Sequence, residues 1–134
     1  MRRFLLLLPP LMAAAALHAE EPMSPATFET MSEGRTLYFT LDGEAFGAEQ
    51  YFKGRRSLWR YGDGTCAAGS WEARGDLICF TYEGGDGPQC WHFLEEGSGF
   101  RAALVEDDAE TGFSLDYSHS DTTPLDCPGP AIGS

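Results

Sequence analysis

Four cysteines, two of the three histidines and one acidic run carry most of the chemistry open to this 134-residue chain. Cys66, Cys79, Cys90 and Cys127 are separated by 12, 10 and 36 residues. Zinc sites want close C-x₂₋₄-C pairs, and redox pairs want C-x-x-C, so neither metal nor dithiol chemistry fits these gaps. An even count reads instead as two disulfides, with three possible connectivities. His92 and His119 stand in no H-x-H or H-E-x-x-H spacing. The run Glu106-Asp107-Asp108-Ala109-Glu110 lacks the spacing and glycine of a calcium loop and reads as a solvated loop. No G-x-S-x-G elbow, P-loop or dinucleotide fingerprint occurs. No catalytic set, metal set or cofactor is therefore expected, and the chain does not read as an enzyme.

One further constellation is polar without being catalytic. Glu49-Gln50-Tyr51 is followed closely by Gly54-Arg55-Arg56, with Arg60 four residues on. Glu49, Tyr51, Arg55, Arg56 and Arg60 on one outer face would form either a surface ladder or a docking patch whose guanidinium forks grip a carboxylate. Which arrangement holds depends on the elements that carry these residues.

The chain opens MRRFLLLLPPLMAAAALHAEE. Two arginines, an apolar stretch and Leu17-His18-Ala19 before Glu20 read as a Sec-type signal peptide, 1–19, too short for a membrane span. The remainder, 20–134, is one domain's worth of chain: an N-terminal segment 20–34, strands over 35–118 and a tail 119–134. Within the first segment Ser24 reads as an N-cap before Pro25, Met23 and Phe28 as a hydrophobic staple, and Gly34 as the stop of a helix over about 25–33.

Alternation then marks eight strands near 35–41, 44–52, 55–61, 69–73, 76–82, 89–95, 100–105 and 112–118. Asp42-Gly43, Lys53-Gly54, Arg74-Gly75 and Gly84-Gly85 read as two-residue hairpin loops. Such loops set the pairing, and the resulting registers agree. Leu37, Phe39, Phe46, Ala48, Trp59, Tyr61, Trp71, Ile78, Phe80, Trp91 and Phe93 fall on one face, joined by Phe100, Ala102, Leu104, Phe113, Leu115 and Tyr117. An all-β antiparallel up-and-down meander with one aromatic face should curl into a small lipocalin-like barrel. An open sheet covered by the helix is the alternative.

In this register Cys79 faces Cys90, which makes them a structural clip and leaves Cys66 to bond Cys127 and pin the tail. A strict two-residue loop would make 79/90 a hydrogen-bonded pair, a less comfortable place for a disulfide, unless the loop is wider. The same register turns Gln50 and Ser57 inward. With Trp59, Tyr61, Trp71 and Trp91 they form either packed core or the lining of a ligand pocket. Leu58, Leu77, Leu94 and Val105 fall on the outer face, where they are either covered or form an interaction surface.

The segments G-x-T-L, E-Q-Y-x-x-G-R-R, C-x-x-G-x-W-x-x-x-G-D-x-I-C-F-x-Y-E and Q-C-W-x-F, over roughly 34–93, resemble small exported proteins of Gram-negative bacteria whose families are domains of unknown function. The resemblance implies a periplasmic β-rich fold and no activity. Charge agrees with export. Without Arg2 and Arg3 the nine basic residues become seven against 21 acidic, and the net charge moves from −12 to −14. Such a surface repels nucleic acid and anionic lipid. The expected function is that of a non-catalytic periplasmic domain that binds a small apolar or aromatic ligand or a protein partner. The alternative is a small secreted inhibitor of an exported hydrolase, entering its target through the N-terminal EEPMSPAT.

Overall fold

The computed structural model describes residues 10, 12–14 and 20–128. The expected signal peptide falls largely outside them. From Pro22 onward the helix signals act as expected. Ser24 Oγ accepts the Thr27 amide at 3.1 Å, and α1 (Pro25–Ser32) follows, with Gly34 taking a positive φ of 77° just beyond it. α1 is too short to be stable alone, so its place depends on packing. Phe28 supplies that packing. It is fully buried, edge-on to Tyr51 and Trp71 at centroid distances of 5.4 and 5.1 Å.

Among the described residues, eight antiparallel strands close into an up-and-down barrel of lipocalin-like architecture: β1 (Thr36–Leu41), β2 (Glu44–Tyr51), β3 (Arg56–Tyr61), β4 (Cys66–Arg74), β5 (Leu77–Tyr82), β6 (Gln89–Glu96), β7 (Gly99–Glu106) and β8 (Ala109–Asp121). Closure joins the two ends of this sheet, because β8 pairs back onto β1 from Thr36↔Asp121 to Thr40↔Asp116. α1 and its Phe28 close one end. The turns at 42–43, 62–65, 83–88 and 107–108 surround the other.

Two strands run longer than their alternation suggests. β4 begins at Cys66, since Asp63 Oδ1 caps the preceding turn by accepting the Thr65 amide and hydroxyl. β8 spans 109–121, because Asp107 and Asp108 both accept positive φ and shrink the acidic loop to a two-residue turn. His119 thus sits within β8, stacked on Tyr38 at 4.4 Å, rather than in the tail. His92 Nδ1 lies 3.5 Å from Glu110 across the outer face.

Both disulfides take the expected partners. Cys79–Cys90 joins β5 to β6 with α-carbons 4.0 Å apart, and Cys66–Cys127 spans 5.9 Å. The short first distance is that of a narrow, non-hydrogen-bonded pair. The loop between β5 and β6 is six residues long, 83–88, and a wider loop changes which pairs exchange hydrogen bonds without changing who faces whom. Before reaching Cys127 the tail crosses the barrel's outside. Thr36 Oγ1 donates to Thr123 O at 2.7 Å and the Leu125 amide donates to Gln50 Oε1 at 2.9 Å.

The N-terminal segment pairs along β6. Pro22 bridges Leu94, the Met23 amide donates to Phe93 O at 2.6 Å, and Arg101 ion-pairs with Glu20. Leu58, Leu94 and Val105 are buried and Leu77 is half-buried.

Candidate functional site: an aromatic cavity around a buried carboxyl

Three of the four expected hairpin registers need correction, and two of the corrections together create the site. At Asp42-Gly43 the two-residue turn forms, with φ of 51° and 82°, but a bulge between Phe39 and Thr40 shifts β2 by one residue, giving Phe39↔Gly47 and Leu37↔Glu49. The β2–β3 loop is Lys53-Gly54-Arg55, three residues rather than two. The Phe52 amide donates to Arg56 O at 2.9 Å, and Gly54 and Arg55 both take positive φ. The pairs become Glu49↔Trp59 and Tyr51↔Ser57. A one-residue slip exchanges the faces of a strand, so Glu49 and Tyr51 turn inward while Ala48 and Gln50 turn outward. Between β4 and β5 the turn is Gly75-Asp76. That moves the register by two and preserves the faces, so Trp71 meets Phe80 instead of Ile78.

The expected docking patch is therefore not one surface. Glu49 and Tyr51 are buried inside the barrel. Arg55 pairs with Glu29 of α1 at 2.9 Å, its guanidinium 4.5 Å over Trp71. Arg56 lies 6.0 Å over Phe52, and Arg60 is exposed on the outside of β3.

Toward the open end the interior holds a cavity of about 330 Å³. Of the expected pocket residues, Trp59, Tyr61 and Trp91 line it. Trp71 is instead packed under Phe28, and Gln50 binds the tail outside. Ser57 is buried beside Tyr51, as its inward placement requires. Phe39, Phe46 and Phe113 complete the aromatic wall, with Tyr61 and Phe46 at the rim.

Two glycines shape this wall. A Cβ on Gly47 would stand 2.3 Å from Trp59 Cζ2, and one on Gly69 2.7 Å from Tyr82 Cδ1. Each glycine lets an aromatic ring lie flat against the sheet instead of filling the middle. That is how so small a barrel keeps an interior space, where side chains usually fill it.

Glu49 is 4% exposed and reaches into the cavity. Tyr82 donates to its Oε1 at 2.7 Å and Tyr51 to its Oε2 at 3.4 Å. Burial pushes the carboxyl up to about 7, against the pull of the Tyr82, Ser57 and Tyr51 hydroxyls toward the charged form. The Ser57 hydroxyl exerts its pull without a hydrogen bond of full geometry, and is a buried hydroxyl left unpartnered. Burial, then the Glu49 charge, raises the Tyr51 and Tyr82 hydroxyls well above the usual phenol range, so both stay protonated donors.

Sequence reasoning missed Glu49 as an interior group because alternation alone allots it to the outer face. The signals were local: a glycine at 47 inside an aromatic strand, and a loop with one residue more than its Lys-Gly pair suggests. No family model matches the chain, and no curated protein or solved structure matches it significantly.

Proposed function

We propose that this protein is a non-catalytic, periplasmic binding domain that holds a small apolar or aromatic molecule in the open end of its barrel. One observation carries the reading: an aromatic-walled cavity of about 330 Å³ that encloses a hydrogen-bonded carboxyl. That volume lies at the lower end of ligand sites, roughly 300–1,000 Å³. A mostly apolar, aromatic wall with a few placed polar groups is the usual composition of such sites. Two disulfides are consistent with an oxidising, exported setting, and the periplasm is the compartment the leader and the resemblance favour.

The pairing of the N-terminal segment favours the binding reading over the inhibitor alternative. Glu20 to Met23, which would have to enter a hydrolase, is paired along β6 and tied through Arg101.

Native mass spectrometry of protein purified undenatured from the periplasm tests the proposal. The expected result is a reproducible added mass, lost on denaturation and diminished in Leu104→Trp, which fills the cavity. A bare chain at the oxidised mass, from wild type and variant alike, would overturn it.

A further inference from the structure

The charges that face the cavity are all of one sign. Glu49 lies within it, and Glu83 and Asp86 stand at its mouth. Among the described residues, no lysine, arginine or histidine lines it. The other titratable groups facing Glu49 are tyrosines: Tyr51 from its own strand, Tyr82 from β5 and, farther out, Tyr61 from β3.

A buried carboxylate without a cation is costly, and it is normally paired or kept neutral by protonation. An ionised carboxylate offers about four acceptor sites, of which the two tyrosines use two. Capacity remains on the side of the cavity. The walls suit the same chemistry, since Trp59, Trp91 and Tyr61 line the cavity and aromatic rings attract a cation placed over their faces.

We infer that the ligand is a small organic cation, an apolar or aromatic body bearing one ammonium group, with Glu49 as its counter-ion inside the aromatic wall. The inference rests on the binding-domain reading and adds the charge of the ligand. Glu49 is divided between its two forms near neutrality, so the inner end of the cavity is neutral below 7 and anionic above it. A cation then binds more tightly as pH rises through 7, and its arrival expels the proton.

Benzyltrimethylammonium, whose charge is fixed at every pH, and its neutral isostere neopentylbenzene separate charge from shape. Binding is read by tryptophan fluorescence, since Trp59 and Trp91 line the cavity. At pH 8 the cation should bind at least roughly tenfold tighter than the isostere. With a group titrating near 7, that advantage should shrink by up to roughly thirtyfold at pH 5.5. In Glu49→Gln, which keeps the shape and a hydrogen-bonding oxygen, the pH dependence of that advantage should vanish, leaving only the share owed to the aromatic wall and the acidic mouth.

Equal or tighter binding of the isostere at pH 8 would overturn the cation and leave the cavity reading standing. A cation preference in Glu49→Gln as large and as pH-dependent as in the wild type would overturn Glu49 as the counter-ion. Failure of both probes to bind at either pH would overturn both readings together.

Discussion

Glu49 makes the stability of this protein depend on pH in a direction opposite to that of most carboxylates. Its pKa stands at about 7 in the fold against 4.5 in the unfolded chain, because burial penalises the charged form more than the tyrosines relieve it. Below pH 4.5 both states hold the proton and nothing is lost. Between 4.5 and 7 the folded chain binds more protons than the unfolded one, so stability falls as pH rises. Above 7 the whole penalty is present. The interval corresponds to about 3 kcal/mol, a substantial share of the 5–15 kcal/mol typical of small domains.

Replacing Glu49 with glutamine removes the titration while leaving an oxygen for Tyr82. Urea unfolding of wild type and Glu49→Gln, disulfides intact, at steps from pH 4.5 to 8.5 isolates the effect, because the other 20 acidic residues cancel in the difference. The variant should gain about 3 kcal/mol on the wild type between the two ends, most of it before pH 7.5. A difference that stays flat, or that moves in favour of the wild type as pH rises, would refute a buried, desolvated Glu49.

Phe28→Ala should cost about 3–5 kcal/mol in chemical denaturation, since it empties a fully buried plug touched by four aromatic rings. A loss under about 1 kcal/mol would mean that α1 does not close that end. Gly47→Ala should force Trp59 from its place, because the new methyl would also meet Arg60 O at 2.9 Å, a backbone atom that cannot rotate away. A shifted tryptophan emission with a loss of about 1–3 kcal/mol is expected, and an unchanged spectrum would count against the flat indole. Removing the 79–90 disulfide by double alanine substitution should cost about 3 kcal/mol, and removing 66–127 about 4, as the longer loop restrains more of the unfolded chain. Equal and negligible losses in equilibrium unfolding would argue that neither bond constrains the denatured state.

How much could be read in advance differs between the frame and the site. The helix was legible in full, since Ser24, Pro25, Phe28 and Gly34 act over a few residues and need no distant partner. The strands and their order were legible because period-2 alternation and glycine turns are local signals as well. Ends were less so: β4 and β8 gained residues through an aspartate-capped turn and a tight Asp-Asp turn that composition disguises as loop. Trp71 and Trp91 look alike on the aromatic face, yet one is core and the other cavity wall. The difference is that Phe28 arrives over Trp71, a contact between residues 43 positions apart.

Alternation, turn chemistry and the matching of opposed positions are enough to specify the barrel's meander, its aromatic lining and both cysteine pairs. The inward place of Glu49 comes from the folded molecule alone. A bulge at Phe39/Thr40 and one additional loop residue before Arg56 each move the register by a single step, and closure of the barrel makes both steps consistent. A side chain's face has a period of two, so one step carries a carboxyl from water to the centre of an aromatic wall. Alternation cannot register that step, because it is written in the backbone geometry of two turns and the space left beside two glycines.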